Sequence, residues 1–421
     1  MNERKQAATV QDRDELSTQS ELQSQPQAQH VQPNRLLALW EVLLVATKLG
    51  LTSFGGPTAH LGYFHNEYVR KRKWMDEHSY ADLVGLCQFL PGPASSQVGI
   101  GIGVMRAGLL GGLAAWIGFT LPSVLVLIAF ALLLKGVDVS HAGWISGLKM
   151  VAVVIVAHAI LGMAQKLTPD KERITLAVLI AAAALVWTVP YSQVMLIVLA
   201  GVAGWSMYRK SPVIPAATMK IPIRRSFAVG CLAIFAGLLV VLPVLRQTFN
   251  VEWIALFDSM YRAGSMVFGG GHVVLPLLEQ ELVPHGFVSK DDFLAGYGAT
   301  QAVPGPLFTF AAYLGAVSMG GGGAIIATIA IFLPAFLLII GALPFWSALR
   351  SNSHMQGVLA GVNAGVVGIL LAALYQPLWT TAVLSSVDFA LACILFVLLT
   401  FWKCPPWVIV LLGIVGGMIV H

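Results

Sequence analysis

Two cations stand at matching places in two stretches of apolar sequence. Lys48 lies six residues before Phe54-Gly55-Gly56-Pro57, and Arg262 lies six residues before Phe268-Gly269-Gly270-Gly271. A cation within a membrane helix is costly and is a functional candidate by default; the bland alternative is a side chain snorkelling from near a helix end. Each block continues with a glutamate, a glutamine and a Pro-Gly-Pro. The first has Glu67, Gln88 and Pro91-Gly92-Pro93; the second has Glu281, Gln301 and Pro304-Gly305-Pro306. Gly-Gly and Pro-Gly-Pro cannot continue a helix. After each Pro-Gly-Pro a new half-helix begins, whose free N–H groups and partial positive charge suit an anion. Ser95 and Ser96 open the first restart and Thr309 lies in the second, adding hydroxyl donors to the amides of Gln88 and Gln301. The chemistry on offer is capture of an anion by cations and backbone N–H groups. Plain structural kinks are the competing reading.

Other chemistry-bearing residues are less decided. Lys149 is a third cation in apolar sequence, and Asn363 takes its place in the second half. It either supplies positive field or balances a carboxylate such as Glu67, and both readings stay open. Glu67 and Glu281 are candidate proton carriers, or equally interfacial charges at a hairpin end. His60, His65, His158 and His272 have no metal-ligand spacing. Cys87, Cys231, Cys393 and Cys404 are scattered without a CxxC, which reads as packing. Gly99, Gly101 and Gly103 come after no strand, so they are no dinucleotide fingerprint. Gly357, Gly361 and Gly365 form a ridge for close helix packing. No Walker A, HExxH or GxSxG pattern occurs, which argues against direct ATP drive and against an intramembrane enzyme. No cofactor is expected.

The elements that must position these residues are membrane helices. The chain is 57% hydrophobic and 11% charged, against about 25% charged in ordinary soluble domains, and its mean hydropathy is +0.79. This composition predicts an all-α polytopic membrane protein with the lipid bilayer as partner, and no basic-aromatic run points to nucleic acid. Thirteen apolar segments are expected, at 36–54, 81–104, 109–134, 143–164, 174–189, 192–208, 227–245, 253–268, 293–317, 321–344, 355–375, 383–401 and 406–420. They read as six, one and six. The two motif blocks are offset by 214 residues up to the glutamates and by 213 after them. The domain expectation is a disordered cytoplasmic tail at 1–34, which is polar and rich in Gln and Ser. A transporter repeat at 35–208 comes next, then a basic linker with a connecting helix at 209–250, and a second repeat at 251–421. A duplicated membrane unit with broken helices is the sequence sign of a secondary transporter.

Charge sets the topology. With one crossing per segment, the basic run at 70–73 falls outside while the linker at 209–225 is inside, against the positive-inside rule. The conflict is resolved when each half carries two re-entrant hairpins, one breaking at Phe-Gly-Gly and one at Pro-Gly-Pro. Residues 70–73, Arg106, Lys166, Arg350 and Lys403 then fall inside, and the acidic loop with Glu279, Asp291 and Asp292 falls outside. The halves are inverted repeats in this tracing, with the N-terminus cytoplasmic and the C-terminus periplasmic. Thirteen single crossings is the alternative.

The motifs resemble the chromate ion transporter family of bacteria. The resemblance rests on Phe54-Gly55-Gly56-Pro57 with Gln88-Phe89-Leu90-Pro91-Gly92-Pro93, and on residues 268–276 with Gln301-Ala302-Val303-Pro304-Gly305-Pro306. It covers about residues 36–420 and, more narrowly, the chain is similar to the long, two-domain chromate-resistance proteins. The resemblance implies an inner-membrane protein that exports chromate and confers resistance, with sulfate as a candidate competitor. A dianion leaving a cell that is negative inside can be driven by membrane potential alone, with proton exchange optional. A sulfate or other oxyanion importer and an anion-selective channel remain as alternatives, and homo-oligomerisation stays open.

Overall fold

The computed structural model describes residues 35–54, 56–134, 143–187, 192–208, 223–268, 273–346 and 353–420. The expected tail at 1–34, Gly55, the linker residues 209–222, Gly269, Gly270 and His272 lie outside the described residues. By chain contacts the protein divides into Met1–Ala38 and Leu39–His421; of the first unit only the opening turn of a helix is described. Every described element is a helix. The first half contains α1 (Arg35–Thr52), α2 (Gly56–Phe64, prolonged by a π-helical stretch His65–Lys71), α3 (Glu77–Phe89), α4 (Ala94–Leu134), α5 (Gly143–Leu167), α6 (Lys171–Val186) and α7 (Ser192–Met207). The connecting helix is α8 (Arg225–Phe249). The second half contains α9 (Glu252–Ser265), α10 (Val274–Leu282), α11 (Lys290–Thr300), α12 (Phe310–Ala342), α13 (Ser353–Ala373), α14 (Ser386–Thr400) and α15 (Pro406–Val420). Five described stretches are long and apolar enough to cross a membrane: Ala94–Leu134, Gly143–Leu167, Arg225–Phe249, Leu307–Phe345 and Gln356–Ala382.

The helices start and turn where local chemistry dictates. Asp76 accepts the Ser79 N–H at 2.9 Å and opens α3. At the matching place in the second half, Ser289 accepts the Asp292 N–H at 3.1 Å and opens α11. These caps satisfy N–H groups that the first helical turn leaves unpaired. The Ser79 N–H and hydroxyl also hold the Asp76 carboxyl below its ordinary range.

Both α4 and α12 double back on themselves. Gly108 has φ 71° and Gly320 has φ 69°, a left-handed conformation that glycine adopts without steric cost. A Cβ placed on Gly103 would lie 2.3 Å from the Gly111 carbonyl oxygen, and one on Gly315 would lie 2.3 Å from that of Gly323. Residues eight apart on a straight helix are separated by about 12 Å along the axis. The chain therefore reverses at each glycine, and only the absence of side chains lets the two limbs touch.

The long helices pack with the halves exchanged. On α5, Gly143 and Gly147 lie against Gly417 and Gly413 of α15; on α13, Gly357 and Gly361 lie against Gly204 and Ala200 of α7. These are the same contacts at equivalent positions, each joining one half to the other. The ridge of Gly357, Gly361 and Gly365 is accordingly a helix-packing surface, as expected. The largest buried cluster likewise mixes the halves, bringing Leu127, Val153 and Val156 together with Met260, Phe308 and Phe332.

Candidate functional site

The breaks in helical backbone meet in two pairs, each joining one half to the other. α3 ends at Phe89 and α4 restarts at Ala94, with Pro91-Gly92-Pro93 between them; α11 ends at Thr300, and the chain resumes as a short 3-10 turn, Leu307–Thr309, before α12. Glycine is required at both centres, because Gly92 has φ 117° and Gly305 has φ 105°. The Gly92 N–H donates to the Val267 carbonyl at 2.6 Å, and the Gly305 N–H donates to the Ser53 carbonyl at 3.0 Å. Val267 and Ser53 each precede the phenylalanine of a Phe-Gly-Gly. Each Pro-Gly-Pro is thus tied to the approach of the Phe-Gly-Gly in the opposite half.

Polar atoms crowd these breaks. Ser53 Oγ, Ser96 Oγ, Gln97 Oε1, Thr120 Oγ1, Gln301 Nε2 and His60 Nε2 are buried with no hydrogen-bond partner among the described residues. Leaving such an atom unpaired costs about 1–3 kcal/mol, so a polar guest at the breaks is favoured. Other predicted donors are committed elsewhere. Thr309 Oγ1 donates to the Pro306 carbonyl at 2.8 Å, and Ser95 Oγ lies 3.3 Å from His60 Nδ1. Gln97 Nε2 donates to the Pro91 carbonyl at 2.9 Å, bracing the first break from inside. Gln88 is exposed whereas Gln301 is half-buried, so the two amides, equivalent in sequence, have different surroundings.

The second Pro-Gly-Pro opens into a cavity of about 430 Å³. Gln301 and Gly305 line it from the second half, Gly56 from the first, and His158, Thr400 and Lys403 complete its polar wall. His158 Nδ1 lies 3.0 Å from Thr400 Oγ1. The first Pro-Gly-Pro opens into a cavity of about 520 Å³ of opposite character, lined by Pro91, Val198, Trp205, Phe235, Met266 and Phe268. Lys403 and Thr400 were not legible as site residues in the sequence. The available signal was a lysine beside Pro405-Pro406, between the last two apolar segments.

The recurring cations form ion pairs within their own halves. Lys48 Nζ lies 3.2 Å from Glu67, and Arg262 Nη2 lies 2.8 Å from Glu281. Glu67 also meets Arg72 at 3.1 Å and Lys71 at 3.7 Å. Arg262 also holds Asp258 at 2.8 Å, with Arg246 at 3.4 Å from the same carboxylate. The two sites differ in depth: the Lys48 side chain is 56% exposed and that of Arg262 is 10% exposed. Each candidate cation and each candidate proton carrier therefore belong to one pair. Lys149 balances a carboxylate, but the partner is Asp291 of α11 at 2.6 Å and not Glu67.

The two halves match the same family model, described as chromate transporter, over residues 40–205 and 254–418. A chromate transport protein of Pseudomonas aeruginosa is 28% identical over 77% of each chain. A chromate transport protein of Cupriavidus metallidurans is 26% identical over 91% of this chain and 94% of its own. An uncharacterised transporter of Methanocaldococcus jannaschii is 26% identical over 89% of this chain and 92% of its own. No solved structure matches. With both halves matched in order and most of the sequence covered, this multi-pass membrane protein belongs to the chromate transporter family.

Proposed function

We propose that this chain is a secondary transporter that exports chromate across the bacterial inner membrane and so confers chromate resistance. The observation that carries the reading is the exchanged pair of backbone hydrogen bonds, Gly92 to Val267 and Gly305 to Ser53, which ties each Pro-Gly-Pro to the approach of the Phe-Gly-Gly in the opposite half. Broken backbone at membrane depth is tolerated where it is buried in protein or lines a watery cavity, and transporters bind substrate where such breaks converge. Chromate is a tetrahedral dianion. Restarted helices, unpaired hydroxyls and amides, and nearby cations offer it donors on several sides. Membership of the chromate transporter family supports chromate as the ion. A dianion leaving a cell that is negative inside gains roughly 4–5 kcal/mol per 100 mV, so membrane potential suffices as the driving force. Glu67 and Glu281 are the residues that would add proton exchange, since protonating either releases a cation to the substrate.

In this reading the halves are inverted repeats and the segments around the breaks are re-entrant hairpins. Two contacts support the hairpins: Lys48 reaches Glu67 across Phe-Gly-Gly, and a Cβ on Gly101 would lie 2.9 Å from Leu83 across Pro-Gly-Pro. The test is chromate uptake by energised inside-out vesicles. Concentrative accumulation is expected. Mere equilibration would mark a channel, and accumulation only in right-side-out vesicles would mark an importer.

A further inference from the structure

A cavity opens at each of the two equivalent breaks; the cavities are walled by different elements and have opposite chemistry. At the first Pro-Gly-Pro the lining is Trp205, Phe235, Met266 and Phe268 with aliphatic side chains and Ser265, whose hydroxyl already donates to the Tyr261 carbonyl at 2.6 Å. A dianion entering there loses its hydration without replacement donors, which is prohibitive. At the second, Lys403 brings a positive charge, while His158, Thr400 and Gln301 bring hydrogen-bonding groups. Gln301 Nε2 is buried and has no partner among the described residues. The cavity has room for a hydrated ion, since about 430 Å³ compares with roughly 30 Å³ per water molecule.

Lys403 sits at the junction of α14 and α15 with φ 54°, a backbone conformation that side-chain-bearing residues rarely adopt. The same junction contributes Cys404, Pro405 and Pro406 to the cavity wall. On the other side, α5 supplies His158 and α14 supplies Thr400, 3.0 Å apart across 242 residues. The polar wall is therefore assembled from α5, α14 and the junction after it, with the break at its floor.

We propose that Lys403, His158 and Thr400 form the vestibule through which a tetrahedral oxyanion dianion reaches the Pro304-Gly305-Pro306 break, and that the apolar cavity at Pro91 takes no anion. This deepens the export reading and rests on it: Lys403 lies on the side that the charge pattern assigns to the cytoplasm, where an exporter collects its ion.

The cavity carries its own reporter, because Cys404 lines it. Cys87 and Cys231 are buried and Cys393 is exposed, so Cys393→Ser makes Cys404 the readily labelled thiol. In that background sulfate or molybdate, which do not oxidise thiols, should slow maleimide labelling of Cys404. A cysteine placed at Val198, in the apolar cavity, should label at the same rate with and without either ion. In everted vesicles Lys403→Gln and Thr400→Val should each raise the chromate half-saturation about five- to tenfold. Lys403→Arg should restore most of it, and Lys166→Gln, an exposed charge outside the cavity, should change nothing. Parental half-saturation in both Lys403→Gln and Thr400→Val overturns the vestibule. If the parental vesicles accumulate no chromate, export is overturned, and the labelling arm alone decides the vestibule: unchanged Cys404 labelling in both ions then overturns it as well.

Discussion

Arg262 and Glu281 stand nineteen residues apart and pair at 2.8 Å, the same separation that joins Lys48 to Glu67 at 3.2 Å. The geometry is repeated but the setting is not. Arg262 is buried and shares a second carboxylate, Asp258, whereas Lys48 is largely exposed.

The difference predicts unequal costs of neutralisation. Arg262→Gln leaves Asp258 and Glu281 to Arg246 alone, and breaking a buried pair costs about 3–5 kcal/mol. Lys48→Gln removes an exposed partner and should cost about 1 kcal/mol or less. Thermal unfolding in detergent should therefore show a large drop for Arg262→Gln and little for Lys48→Gln. Arg262→Lys should lose less stability than Arg262→Gln, because the single nitrogen Nη2 meets both carboxylates and an ammonium can do the same. It need not be mild for uptake, because a guanidinium forks onto two oxyanion oxygens and an ammonium cannot. With uptake normalised to inserted protein, both neutral variants should raise the chromate half-saturation. If both keep the parental half-saturation and maximum rate, neither cation belongs to the site, and the half-helix termini with Lys149 must hold the ion.

The breaks can be straightened or jammed. Pro91→Ala and Pro304→Ala should leave protein in the membrane while impairing transport, because the N–H groups proposed to receive the anion are lost to helix. Gly305→Ala should be harsher than Gly92→Ala. Both residues have positive φ, a strain of order 1–3 kcal/mol for alanine, but a Cβ on Gly305 would also lie 2.4 Å from Ser123 Oγ, against 3.2 Å from Gln97 Nε2 for Gly92. Adding Ser123→Ala should recover part of the Gly305→Ala loss in yield and uptake; no recovery would place the damage in backbone strain alone.

Lys149 and Asp291 join α5 to α11. Lys149→Gln and Asp291→Asn should each reduce uptake, and the exchanged pair Lys149→Asp with Asp291→Lys should restore much of it, with a coupling of about 1 kcal/mol in a double-mutant cycle. If Asp291→Asn instead tightens chromate binding, Lys149 supplies field to the ion and the carboxylate merely competes for it.

The hairpins are tested by side-specific labelling. In a cysteine-free background Lys73→Cys should resist an impermeant thiol reagent added outside the cell, and Lys290→Cys should react readily. Ready external labelling at position 73 would restore thirteen single crossings.

Much of this was legible in one dimension because the informative residues are those that break helices. Pro-Gly-Pro announced both interruptions, and duplication aligned Lys48 with Arg262 and Glu67 with Glu281. The apolar segments foretold the long helices because burial in lipid leaves few other compositions. What escaped the sequence is whatever depends on folding back. The pairing of each cation with its glutamate needs the chain to fold back across Phe-Gly-Gly, and Arg246 reaches Asp258, the i,i+4 neighbour of Arg262 on α9, only through the packing of α8 against α9. The reversals at Gly108 and Gly320 fall in the gaps between the expected segments 81–104 and 109–134 and between 293–317 and 321–344; what the sequence did not show is the glycine contact between their limbs. Lys403 reads as a loop charge until α5 and α14 place His158 and Thr400 beside it. The sequence also presents Gln88 and Gln301 as equals; one is exposed and the other half-buried because the repeated backbone carries diverged neighbours.

The exchanged glycine contacts have a consequence for biogenesis. Gly147 on α5 finds its partner only at Gly413 on α15, and synthesis runs at roughly 5–20 residues per second. The bare glycine face of α5 therefore waits about 15–50 seconds after it is made before the helix that covers it leaves the ribosome. During that interval the first half is an unfinished surface in the bilayer, and a stop codon anywhere before α15 leaves it permanently open to quality-control proteases.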